Sequence, residues 1–231
     1  MRILLINPNT DLVMTEQIRK AAGAFARHGT EIMAIQPDWG PMGLDSVFDG
    51  LLAAAAVIEK LASIEFTYDA VIFAGFGDPG SQALREFLDV PVFDIAECAA
   101  HLACLVGRAY AVLTTLVRSV PQIEDALRVA GLRDRCAGVR AIGVETNALA
   151  NDVAATRQRL IEQGHRAIQE DRAEVIVLGC GGLGGLDKDL EDHLRVPVID
   201  GIVAAVKSRR DAWITGFSLA EAASMPIRCQ R

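Results

Sequence analysis

Two stretches of this chain break a run of apolar, mostly β-branched residues into glycines, and they differ where chemistry could be done. EVIVLGCGGLGG (174 to 185) carries Cys180, whereas DAVIFAGFGDPG (69 to 80) has Gly75 at the corresponding place, 105 residues earlier. A thiol at the end of a buried strand, leading into glycines and a helix, meets backbone N–H groups and the positive end of a helix dipole, and both favour thiolate. Cys180 is therefore the candidate base or nucleophile, set against the plainer reading of a buried, inert cysteine. A second thiol at position 75, facing the first, would complete a two-base site that takes a proton from one face of a carbon and returns one to the other, which is racemisation without a cofactor. Such a site works where a carbonyl acidifies the proton and pre-placed donors hold the enolate. Asn7, Asn9 and Thr10 after the first apolar run, and Thr114 and Thr115 after a later one, are donors of that kind.

Other chemistries find less support. The five cysteines (98, 104, 136, 180 and 229) are odd in number and lack CxxC spacing, which fits neither a disulfide framework nor a zinc site. Cys98 and Cys104, in IAECAAHLACLVG, read as small buried hydrophobes, and Cys136 and Cys229, beside charged residues, as loop residues. The histidines lack ligand spacing and the lysines sit away from strand ends, so neither a metal nor a pyridoxal Schiff base is expected. Asp78, ahead of Pro79, reads as a turn or capping residue. GFGDPG and GCGGLG both satisfy G-x-G-x-x-G, with Asp94 and Asp200 about 20 residues on, where a ribose-binding acid belongs in a nucleotide-binding module. Against that, Pro79 and the short spacer before VPVFD fit a compact connection better than a full βαβ crossover.

With 23 Lys plus Arg against 30 Asp plus Glu the net charge is -7, and no basic stretch tracks phosphates, so nucleic acid is not an expected partner. The longest apolar run, Leu51 to Ile58, falls far short of the roughly 18 to 20 residues of a membrane span. A cytoplasmic protein acting on a small molecule is expected. Assembly of like copies is expected too, and the alanine-rich 51 to 58 segment would serve either lobe packing or a subunit interface.

The elements that must position these residues alternate. Strands are predicted at 2 to 6, 31 to 35, 70 to 74, 91 to 94, 109 to 114, 139 to 144, 175 to 179 and 197 to 200, with helices at 11 to 27, 47 to 63, 81 to 88, 95 to 106, 120 to 130, 153 to 170, 186 to 194 and 201 to 209. That alternation implies parallel sheets flanked by helices. VPVFDIAECAA (90 to 100) echoes VPVIDGIVAA (196 to 205), and ILLINPNT and YAVLTTL each open a half. The reading is an α/β fold of two similar, pseudo-two-fold related lobes, 1 to 97 (joined by the tail, 206 to 231) and 98 to 205. Ligands in such sheets bind beyond the carboxyl ends of the strands, which places the site in a cleft between the lobes.

The segments INPNT (6 to 10) with Met14-Thr15, GP (40 to 41), FGDPG (76 to 80), VPVFDIAE (90 to 97), VLTTLVRSVP (112 to 121), RCAGVRAI (135 to 142), VLGCGG (177 to 182) and VPVIDGIVAAVK (196 to 207) run nearly end to end. In them the chain resembles the Asp/Glu/hydantoin racemase superfamily, and within it the hydantoin and allantoin racemases. The resemblance implies a cofactor-free, metal-free isomerase with Cys180 as its second catalytic thiol and Asn9, Thr10, Thr114 and Thr115 lining the substrate pocket, to which the strand-end loops add Phe76 and Gly181. It also implies a departure at Gly75, since family members commonly read Cys-Phe-Gly-Asp-Pro-Gly there. Three readings are open. The first is a racemase-type enzyme for a 5-substituted hydantoin, allantoin or related compound, lacking one of its two thiols. The second is a single-thiol decarboxylase resembling arylmalonate decarboxylase, whose hydroxyls after the glycine are replaced here by Phe76 and Gly77. The third is a non-catalytic protein that binds such ligands.

Overall fold

The computed structural model of the chain describes residues 1 to 77, 79 to 149 and 151 to 214, the last six by backbone alone. The elements alternate in the predicted order: β1 (Arg2–Ile6), α1 (Leu12–Phe25), β2 (Glu31–Ile35), α2 (Val47–Ala62), β3 (Ala70–Phe73), α3 (Ser81–Phe87), β4 (Val92–Asp94), α4 (Ile95–Val106), β5 (Tyr110–Thr114), α5 (Val120–Val129), β6 (Cys136–Ala141), α6 (Val153–Glu170), β7 (Val175–Leu178), α7 (Asp187–Leu194), β8 (Val198–Asp200) and α8 (Gly201–Ile214). Asp78, Cys229 and the end of the tail, on which expectations also fell, lie outside the described residues.

The strands form two parallel four-stranded sheets of the same topology, β2-β1-β3-β4 and β6-β5-β7-β8. Side chains alternate across a strand, so each sheet feeds two cores. Ile3, Leu5 and Ile72 from one sheet and Val112, Val175 and Val177 from the other face a shared core, while Leu4, Ile6, Val71 and Phe73 pack outward under α2 and α3, and Ala111, Leu113, Ile176 and Leu178 under α6 and α7.

The shared core holds two helices that cross over. Helix α4 leaves the first sheet and packs on β7 and β5 of the second, and α8 leaves the second sheet and packs on α1, β3 and β4 of the first. Alanines at 99, 100, 103, 204 and 205 let them approach closely. Asp94 and Asp200 explain the echoed VPV-x-D segments. Each ends a strand and caps the next helix, Asp94 Oδ1 accepting from the Ala96 and Glu97 amides and Asp200 Oδ1 from those of Ile202 and Val203. Both of these acids are thus engaged in helix starts.

Two expectations need correction. The sixth strand spans Cys136–Ala141 rather than 139 to 144, because it takes its register from β5, from Tyr110 opposite Cys136 to Thr114 opposite Ala141. Cys136 is accordingly not a loop residue. It opens the strand, buried, with its thiol directed to the Gly138 carbonyl.

Candidate active site

In each sheet the chain order reverses between the first and third strands of its half, β1 and β3 or β5 and β7, and a crevice opens at their carboxyl ends. The loops leaving those four strands meet in one cavity. Among the residues that line it are Asn9 after β1, Gly75 and Phe76 after β3, Thr114 and Thr115 at the end of β5, and Cys180 and Gly181 after β7. The two halves touch here: a Cβ on Gly181 would sit 3.6 Å from the carbonyl oxygen of Ala74, the residue before Gly75. Thr10 is turned away. Its amide and hydroxyl both donate to the Pro41 carbonyl, at 3.0 and 3.3 Å, and so tether the loop that leads to α2.

The donors are held by their own networks. Asn9 Oδ1 accepts from Asn7 Nδ2 at 2.7 Å and from the Asp11 amide at 3.0 Å, which turns Asn9 Nδ2 toward the weakly accepting sulfur of Met14 at 3.4 Å. That N–H group is available to a stronger acceptor. Thr114 Oγ1 makes a long 3.4 Å bond to the Gly179 carbonyl. Ser119, which also lines the cavity, is buried, and its hydroxyl has no hydrogen-bond partner among the described residues. Buried hydroxyls are seldom left so, and a bound polar atom would complete it.

Cys180 does not rest as the thiolate expected from its loop. The chain continues from it into a three-residue 3-10 turn, Gly181–Leu183, too short to carry a useful dipole, and α7 begins only at Asp187. Burial pushes the thiol up to about 11, and the Asp45 carboxylate adds to the rise; the Gly182 and Leu183 amides and the Thr146 hydroxyl pull the other way. Burial wins, so near neutral pH the group is a thiol. Cys98 and Cys136 are raised by burial as well, to about 12 and about 11, but neither lines the cavity.

Position 75 is tight as the loop stands. A Cβ built there would lie 2.6 and 2.8 Å from Cγ and Cδ of Pro79 and 3.0 Å from the Phe73 ring. The proline ring thus stands where a side chain on residue 75 would begin. No Asp, Glu, Lys, Arg or His is among the described residues that line the cavity.

Sequence reasoning did not single out Ser119, Leu44 or Thr146 as cavity residues. Ser119 lies in the same VLTTLVRSVP segment as Thr114 and Thr115, which was a signal. Thr146 had none, because its place depends on a partner 101 residues away. Among the described residues no group of three or more His, Cys, Asp or Glu could hold a metal ion, and no helix is long and apolar enough to cross a membrane.

Relatives with the same architecture are known. Hydantoin racemase of Pseudomonas sp. (strain NS671) is 40% identical over 208 residues, covering 90% of this chain and 84% of that protein. The crystal structure of allantoin racemase from Pseudomonas fluorescens matches with a TM-score of 0.93 at 42% identity, over 100% of both chains. Arylmalonate decarboxylase, at 18% identity and a TM-score of 0.60 over 91% of this chain and 92% of its own, shares the fold. The sequence model of the family described as Asp/Glu/Hydantoin racemase matches residues 3 to 208. From the match along residues 3 to 208 to the topology of both sheets, the chain belongs to the Asp/Glu/hydantoin racemase family.

Proposed function

We propose that this protein removes and returns the acidic proton of a neutral ring compound, a 5-substituted hydantoin, allantoin or a close relative, with Cys180 as its acid/base on one face of the carbon. The observation that carries this reading is the character of the cavity: a thiol among uncharged donors, without a charged side chain among its described lining residues. A neutral imide ring needs donors for its carbonyls. An amino-acid zwitterion or a malonate dianion is better matched by counter-charges, which the described lining residues do not carry.

In this reading the Cys180 thiolate takes the C5 proton, the electron pair passes into the adjacent carbonyl as an enolate, and Asn9 Nδ2 with the hydroxyls of Thr114, Thr115 and Ser119 holds the developing charge. Return of the proton from Cys180 regenerates the same enantiomer. Inversion needs a proton on the opposite face, where Gly75 offers no acid. Exchange therefore outpaces racemisation. Proton NMR in D₂O on each enantiomer of a 5-alkyl hydantoin, monitored in parallel by polarimetry, tests this: loss of the C5 proton from one enantiomer with optical rotation retained is the expected result, and no exchange from either would overturn it.

A second reading has one observation in its favour. A thiol that rests protonated is suited to protonating a carbanion left by decarboxylation, as in a single-thiol decarboxylase. The uncharged lining weighs against a doubly charged substrate, so this ranks second. Assembly of like copies belongs to the first reading. Val47, Phe48 and Leu51 are exposed at the start of α2, and a molar mass from light scattering above that of one chain is the expected outcome.

A further inference from the structure

The loop from β2 to α2 and the loop from β6 to α6 come from different halves of the chain and meet beside the cavity. Asp45 Oδ1 accepts from Thr146 Oγ1 at 2.8 Å and from the Thr146 amide at 3.4 Å. The approach is close: a Cβ on Gly43 would sit 3.3 Å from Thr146 Cβ and 3.4 Å from Asp45 Oδ2. Both sides are anchored. Thr10 holds Pro41, the Asp45 amide reaches Asp49 Oδ2 at 3.3 Å, and the Gly143 and Val144 amides bond to the Thr115 carbonyl. Leu44 and Thr146 line the cavity with Cys180, and a Thr146 hydroxyl donating to the sulfur would lower the thiol's pKa.

A hydroxyl has one proton to give. Here it goes to Asp45, so the pull toward thiolate that a Thr146 hydroxyl donating to the sulfur would exert is withheld, and the oxygen presents a lone pair that can receive an S–H. We propose that Asp45, acting through Thr146, is a positioning residue that presents Cys180 to the substrate as a proton donor. The proposal rests on the reading of Cys180 as the working acid/base. Facing the thiol from other elements are the Gly182 and Leu183 amides, which favour thiolate, the charged Asp45, and cavity side chains that are uncharged among the described residues. Removing Asp45 frees the Thr146 proton to turn to the sulfur and takes away a negative charge, two changes of the same sign.

The test is alkylation of Cys180 by iodoacetamide in the whole, substrate-free protein between pH 7 and 11, read by mass spectrometry, with Cys98 and Cys136 as internal controls. Wild-type rates should rise about tenfold per pH unit through pH 10, as the thiolate fraction does. In Asp45→Ala the curve should lie about tenfold higher at pH 8 and level off about one pH unit earlier, with the controls unmoved. Asp45→Asn keeps an acceptor for Thr146 and loses only the charge, so a smaller shift of the same sign is expected, and it serves if the alanine variant folds poorly. An unshifted pH profile, or a rate increase equal at every pH as loosened packing alone would give, overturns the proposal. Alkylation involves no substrate, so a shifted profile in a protein that exchanges no hydantoin would sink the proposed substrate and leave the role of Asp45 standing.

Discussion

The loops after β3 and β7 leave equivalent strands of equivalent sheets, and two residues past each strand the halves diverge. After β7 the chain carries a thiol into the cavity and passes on through small residues that give it room. After β3 it carries no side chain, and the ring of Pro79 has settled within 2.6 Å of where one would start. The topology supplies two equivalent strand ends at one cavity, and a thiol stands at one of them.

The largest test of this difference removes the thiol. Cys180→Ala should lower proton exchange by about 10²- to 10⁴-fold, the range of a general acid/base, with the fold intact by circular dichroism. Restoring the other side needs the Pro79 loop to shift, as it must in relatives that read Cys-Phe-Gly-Asp-Pro-Gly. Gly75→Cys should cost about 1 to 3 kcal/mol in denaturant titrations, because the proline ring must move, and should raise the ratio of racemisation to exchange about 10²-fold.

The pH profile sharpens the comparison in a second way. The native value for Cys180 lies above that of a free thiol, so its thiolate is scarce at pH 8 and grows until the pH reaches about 11. Exchange initiated by the thiolate should rise about tenfold per pH unit from pH 7 to 10. Decarboxylation completed by the thiol should be flat over that range and fall only near pH 11, so one profile on each substrate class separates the two readings. The smallest effect is expected at Ser119. Ser119→Ala removes a buried hydroxyl that lacks a partner among the described residues, so stability should hold or rise slightly, while KM should worsen about fivefold to tenfold through one lost hydrogen bond of about 1 kcal/mol.

Much of the fold is legible in the sequence because it rests on local signals. Apolar runs of four to six residues closing on glycine or aspartate mark strands, and Asp11, Ser46, Asp94 and Asp152 stand where they cap the next helices. Only β6 is displaced, since its apolar residues suit more than one register and β5 decides between them. The site is legible to the extent that it sits at strand ends, which is how Asn9, Thr114, Thr115 and Cys180 are found.

By itself, then, the sequence determined the alternation of strand and helix, the doubling of the unit, and the placing of a thiol in one half and a glycine in the other, because these depend on residue type and spacing along the chain. Tertiary structure alone decided the state of that thiol, the turning of Thr10 to Pro41, the filling of the Gly75 position by Pro79 and the Asp45–Thr146 contact. Each of these depends on burial or on a hydrogen bond between distant segments, and neither the desolvation of a sulfur nor the meeting of loops 101 residues apart leaves a local pattern to read.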